Sequence, residues 1–193
     1  MRESVRILIA EDEAIIRMDL REMLVEEGHV VVGEARDGAE AIALARELTP
    51  DIVFMDVKMP GTDGIEAARV IGAEHIAPVV MVTAFSQQAY VQQAADAGAM
   101  SYLVKPFTKQ DILPVMTLAV SRFAEARALE SEVSDLNERF ETRKALDRAK
   151  GVLMGRGMSE ADAFRRLQKL AMDKRMSLRQ VAEAIVLASE AEG

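Results

Sequence analysis

Glu11 and Asp12, Asp56, Thr83 and Lys105 occupy the same kind of place in four separate stretches of the chain. Each follows or ends a short apolar run: ILIA (7–10), IVFM (52–55), VVMV (79–82) and YLV (102–104). Three carboxylates brought together without a counter-charge repel one another and raise the pKa of at least one of them. A hard divalent cation relieves the repulsion, and Mg²⁺ suits a few protein oxygens because it keeps several of its waters. Lys105 offers a second counter-charge and Thr83 a hydroxyl. Taken singly, Asp56 reads as a turn or cap residue, Lys105 as a solvated cation and Thr83 as an ordinary strand end. Only the repetition of the placement makes a site of them.

For these residues to meet, the apolar runs must be neighbouring strands. Residues 5–10, 30–35, 52–55, 78–83 and 102–104 read as five strands. Helical spacing falls between them, over 14–27, from Asp37 with Glu40 at capping-box distance, over 64–72 and over 87–97. Strands apolar on both faces that alternate with helices make an α/β, doubly wound, parallel sheet. In the order 2-1-3-4-5, strands one and three flank the switch point, where ligands gather outside the carboxyl ends. No GxxxxGK[ST] loop, GxSxG elbow or metal-spaced histidine pair is present, and His29 and His75 belong to other loops and read as structural.

At 193 residues the chain exceeds the usual domain, so a second, smaller one is expected. Its 50% apolar and 29% charged residues support a sizeable core. With no cysteine, no run of eighteen apolar residues and no secretory n- and h-region, the reading is a cytoplasmic protein without a membrane partner. After Pro106 a helix opens at Thr108, and Pro114 is placed to bend it. Ile112, Val115, Ala119, Ala126, Leu129, Val133, Leu136 and Phe140 continue it in three- and four-residue steps, interrupted at Arg122. Such a seam either pairs between subunits or packs on the chain's own second domain. Beyond it, 142–155, 159–174 and 177–189 read as three helices, the last two opened by capping boxes at Ser159 and Ser177. The net charge of −8 conceals a basic stretch, since residues 142–180 hold eleven Lys or Arg against four Asp or Glu. Lys144, Arg148, Lys150, Arg165, Arg166, Lys169, Lys174 and Arg175 are candidates for contacts with a polyanion.

ILIAEDE, IVFMDVKMPGTDGIE, VVMVTAF and YLVKPF together resemble the receiver domain of two-component response regulators, a flavodoxin-like fold, over about residues 4–122. The resemblance implies that Asp56 accepts a phosphoryl group from a sensor histidine kinase. It implies that Glu11, Asp12, Asp56 and the backbone carbonyl of Lys58 hold Mg²⁺, that Lys105 contacts the phosphoryl oxygens, and that Lys105-Pro106 is cis. Thr83 and Tyr102 would form the switch pair. Glu11 stands where the family often has aspartate. On this reading the receiver catalyses only its own phosphorylation and dephosphorylation, and is otherwise not an enzyme.

AKGVLM, the glycine-rich turn after it, SEADAF and LQKLAMDKRMSLRQVAEAIV resemble the ANTAR domain, a three-helix RNA-binding module of transcription antiterminators. Ala149, Lys150, Gly151, Met154, Ala163, Phe164, Leu167, Ala171, Met172, Val181 and Ala182 carry the likeness, and most of them read as core. The expected organisation is a receiver over 1–122, a helical connector over 123–141 and an ANTAR-like domain over 142–193. It implies a regulator that dimerises when phosphorylated and binds RNA hairpins. Spacing alone leaves open a DNA-binding regulator, because SLRQVAEAI could begin a recognition helix, and a signalling adaptor without nucleic-acid binding.

Overall fold

A computed structural model of the chain describes residues 4–84 and 98–190. The helix expected over 87–97 lies outside the described residues. Five strands, β1 (Arg6–Ala10), β2 (Val30–Ala35), β3 (Ile52–Asp56), β4 (Val79–Thr83) and β5 (Ser101–Val104), form one sheet in the order β2-β1-β3-β4-β5. Every pairing is parallel. Helices α1 (Ala14–Glu26), α2 (Gly38–Leu48) and α3 (Gly64–Ala73) intervene, followed by α4 (Lys109–Gly155), α5 (Glu160–Lys174) and α6 (Leu178–Glu190).

Strand periodicity divides the receiver core into two layers. Leu8, Val53, Met55 and Met81 face α2 and α3 through Ala41, Ala45, Ala67, Ala68 and Ile71. Ile7, Ile9, Phe54, Val80 and Val82 face the other way, onto Leu20 and Leu24 of α1 and Ile112, Met116 and Ala119 of α4. Successive residues of a strand point to opposite faces, so a strand covered on both sides must be apolar throughout. β3 and β4 are buried at all five positions.

The chain divides into two compact units, residues 1–127 and 128–193. In the second, Ala145, Ala149 and Leu153 of α4 pack with Ala163 and Leu167 of α5 and Val181 and Ala182 of α6. Small side chains let the end of α4 and the two short helices approach closely. Both helix starts are capped: Ser159 Oγ accepts from Asp162 N at 3.2 Å, and at Ser177 the box is complete, its Oγ accepting from Gln180 N at 3.2 Å and Gln180 Oε1 from Ser177 N at 2.9 Å. The separate helix expected from residue 142 is instead the end of α4, which runs unbroken for 47 residues. No glycine or proline lies between Pro114 and Gly151 to stop it. Arg122, the break in the apolar seam, has a reason in the fold: its Nη1 donates to the Met100 carbonyl at 3.1 Å, just before β5.

Two glycines lock the loop after β3. Gly38 N donates to the Thr62 carbonyl at 3.0 Å, and Gly64 N donates to the Val57 carbonyl at 3.0 Å. A Cβ on Gly64 would stand 1.8 Å from the Asp56 carbonyl oxygen, so nothing larger than hydrogen fits there. Gly64→Ala is therefore expected to cost about 3 kcal/mol or more in urea-induced unfolding, because backbone rather than a flexible side chain must move.

Candidate functional site

β1, β3, β4 and β5 end at one edge of the sheet, and their last residues meet there. Glu11, Asp12 and Asp56 each offer a carboxylate oxygen, and the three oxygens lie within 4.8 Å of one another. Lys105 Nζ stands 3.0 Å from Asp56 Oδ1 and 2.7 Å from Glu11 Oε2. The backbone N of Lys105 donates to the Thr83 carbonyl at 2.8 Å, which carries the β4–β5 ladder to the edge. The Lys105-Pro106 peptide is cis. Asp12, Asp56, Lys58, Thr83 and Lys105 line a cleft of about 530 Å³. Tyr102 does not line it, and its side chain on β5 is 48% exposed.

Burial, more than mutual repulsion, sets the electrostatics. It pushes the Asp56 and Glu11 carboxyls above their ordinary range, while Lys105 draws both down and a neighbouring carboxylate adds a smaller upward push to each. Burial also works against the Lys105 ammonium, but its hydrogen bonds and charge contacts with Glu11 and Asp56 outweigh that and hold its pKa up. Repulsion among the carboxylates, expected from the sequence, acts in the same direction as burial but is the lesser cause. Glu11 Oε2 is buried, and the Lys105 ammonium 2.7 Å away is its sole partner among the described residues. An all-oxygen set with free lone pairs on a buried carboxylate fits a hard cation such as Mg²⁺.

Two contributors escaped the sequence reading. Gly64 presses against the Asp56 main chain, and buried Arg17 donates to the Glu11 carbonyl at 2.6 Å. A glycine in a turn-rich loop and an arginine inside the stripe AIIRMDL give little signal of such contacts.

The basic candidates fall into two sets. Lys150 Nζ is 2.9 Å from both Asp147 and Glu160, Arg165 is 2.8 Å from Asp162, and Lys144 is 3.7 Å from Glu141. Arg148, Arg166, Lys169, Lys174 and Arg175 have no ion-pair partner among the described residues. No described helix is long and apolar enough to cross a membrane.

The sheet order, the carboxylate cluster at its switch point and the lysine beyond the fifth strand define an α/β domain of the receiver class. Residues 7–117 match the response regulator receiver domain, and residues 134–186 match the ANTAR domain. The chain is 58% identical over 182 residues to the transcriptional regulatory protein PdtaR of Mycobacterium tuberculosis, covering 94% of this chain and 89% of that protein. It is 38% identical over 112 residues to the chemotaxis protein CheY of Thermotoga maritima, 58% of this chain and 93% of the other. Among solved structures, the receiver domain of the putative response regulator NarL from Mycobacterium tuberculosis is similar with a TM-score of 0.57 and 33% identity, over 60% of this chain and 94% of that one. The receiver domain of the sensor histidine kinase PA1611 from Pseudomonas aeruginosa, with a magnesium ion in its active-site cleft, gives 0.56 and 27%, over 62% and 99%. The protein belongs to the response regulators and combines a receiver domain with an ANTAR domain.

Lys105 is the cation nearest two buried carboxylates. Lys105→Met is expected to lower unfolding free energy by about 1–3 kcal/mol, below the full cost of breaking a buried pair because the cleft is open. Urea titration with and without Mg²⁺ checks this, and the ion should restore part of the loss. Equal stability of variant and parent would show the carboxyls to be neutral at rest.

Proposed function

We propose that this response regulator accepts a phosphoryl group on Asp56 from a sensor histidine kinase in the cytoplasm and in that state binds RNA hairpins as a transcription antiterminator. The observation that carries the reading is the meeting of Asp56 with Glu11, Asp12 and Lys105 in one open cleft. An Asp56 carboxylate oxygen attacks phosphorus, forming an acyl phosphate as the P–N bond to the kinase histidine breaks and the imidazole leaves. A Mg²⁺ ion held by Glu11, Asp12, Asp56 and the Lys58 carbonyl would neutralise charge on the transferring oxygens. Lys105 takes up a phosphoryl oxygen, the Thr83 hydroxyl a second, and Tyr102 turns inward behind Thr83. The receiver promotes only its own phosphorylation and hydrolysis.

The acyl phosphate replaces one carboxylate charge with about −1.5 to −2 and new hydrogen-bond acceptors, which biases a two-state surface. We assign the receiver to 1–122, the connector to 123–141 and the RNA-binding unit to 142–193. Leu129, Val133, Leu136 and Phe140 of α4 are each more than half exposed at seam spacing, which supports pairing with a second copy. Two tethered basic units gain avidity on paired hairpins without any new contact. The bound RNA is held in a form that excludes a competing terminator.

Competition between RNA hairpins and duplex DNA of matched sequence, across salt and with or without Mg²⁺ and an acyl-phosphate donor, tests this. RNA should win, more strongly after phosphorylation, and Asp56→Asn should abolish both phosphate incorporation and the gain. Preference for duplex DNA would instead support a DNA-binding regulator, and no binding in any state a protein adaptor. Leu136→Asp is expected to leave incorporation intact while the phosphorylated chain stays monomeric in light scattering. A dimer unchanged by that substitution would remove the seam from the switch.

A further inference from the structure

A charge taken from water is costly unless it is paired and hydrogen-bonded, so a buried arginine outside the reacting cluster needs an account. Arg17 in α1 is such a residue, with 9% of its surface exposed. Its Nη1 donates to the Glu11 carbonyl at 2.6 Å and its Nε to Glu34 Oε2 at 3.1 Å. Arg21 Nη1 lies 3.1 Å from the other oxygen of Glu34, so both oxygens of that β2 carboxylate are engaged.

The Glu11 carbonyl is an unusual object for such a clamp. Glu11 N donates to the Ala35 carbonyl at 3.0 Å, one step beyond the Ala10–Ala35 register pair. Past that point the chain leaves the sheet, and its next carbonyl is held by a side chain. That oxygen belongs to the planar peptide joining Glu11 to Asp12. Holding it fixes the orientation of the plane, and hence ψ at Glu11 and φ at Asp12, the two dihedrals that aim the two carboxylates. A planar, permanently charged guanidinium can do this while anchored at a second nitrogen, which an ammonium cannot.

We propose that Arg17 is a positioning residue of the cation site: braced by Glu34, it sets the peptide between Glu11 and Asp12 so that their carboxylates converge on Asp56. The proposal rests on the reading that these three acids hold a divalent cation. Partners that orient ligands without touching the metal commonly change its affinity by about 10–100-fold.

The test uses the full chain and Mg²⁺ alone as probe, with affinity from titration calorimetry and the Mg²⁺ dependence of labelling by an acyl-phosphate donor. Arg17→Ala should raise the Mg²⁺ Kd about tenfold and the Mg²⁺ requirement of labelling by the same factor, with the rate at saturating Mg²⁺ within about threefold of the parent. Arg17→Lys, whose single nitrogen cannot hold the Glu11 carbonyl and the Glu34 brace as the guanidinium does, should recover only a small part of the affinity. A merely structural arginine would lower the melting temperature without moving the Kd. A folded Arg17→Ala chain that binds Mg²⁺ within about twofold of the parent overturns the proposal. Should that variant fail to fold, Glu34→Gln decides: it keeps the guanidinium and loosens its brace, so the Kd should rise, and an unchanged Kd overturns the proposal. Asp12→Asn separates the premise from the inference. If the parent binds no Mg²⁺, or binds it as Asp12→Asn does, the cation site itself falls and the proposal with it.

Discussion

Everything at the carboxyl edge of the sheet depends on one strained electrostatic arrangement: a single ammonium, Lys105, shared between the buried carboxylates of Glu11 and Asp56, with Asp12 beside them. Burial raises both carboxyl pKa values, so the fold holds these groups against their preference for water. Such a cluster persists only where the main chain is over-determined. The structure supplies that determination at each strand end. Glu11 is tied through N to Ala35 and through O to Arg17, Asp56 is followed by Val57 bonded to Val82, and Lys105 N is bonded to Thr83. The side chains that carry charge are thus projected from backbone that has little freedom left.

The same constraint explains the composition around the site. Small residues appear where backbone must approach backbone: Gly64 against the Asp56 carbonyl, and the alanines of α2 and α3 against the sheet. Their function is geometric. Asp37 and Asp63 then cap α2 and α3, accepting from Glu40 N at 2.9 Å and Glu66 N at 2.8 Å, which settles where each helix begins relative to the edge.

How much of this was legible followed from whether the signal was local. The strands were, because burial on both faces writes itself as continuous apolar runs, and the acids and lysine were, because each follows such a run. Arg17 was not, since the partner that gives it meaning is a main-chain oxygen with no sequence signature. The helix start expected at residue 142 was misplaced for a different reason. Composition changes from acidic to basic near residue 142, but a helix stops at glycine, proline or a cap, and no glycine or proline occurs between Pro114 and Gly151. Charge marks a change of surface, and only backbone chemistry marks a change of element.

That distinction also bears on the basic unit. Lys150 belongs to the recognisable motif, yet its ammonium is placed between Asp147 of α4 and Glu160 at the start of α5, where it joins two helices. Using it to bind a phosphate would first require giving up those partners. Arg166 and Lys169 carry no such debt, and their three-residue spacing on α5 puts them on one face, while Lys174 and Arg175 close the same helix. If the unit meets RNA, counterion release favours the cations whose charge is not already neutralised within the protein. The ion pairs therefore direct attention away from the most conspicuous lysine of the motif and towards the outer surface of α5.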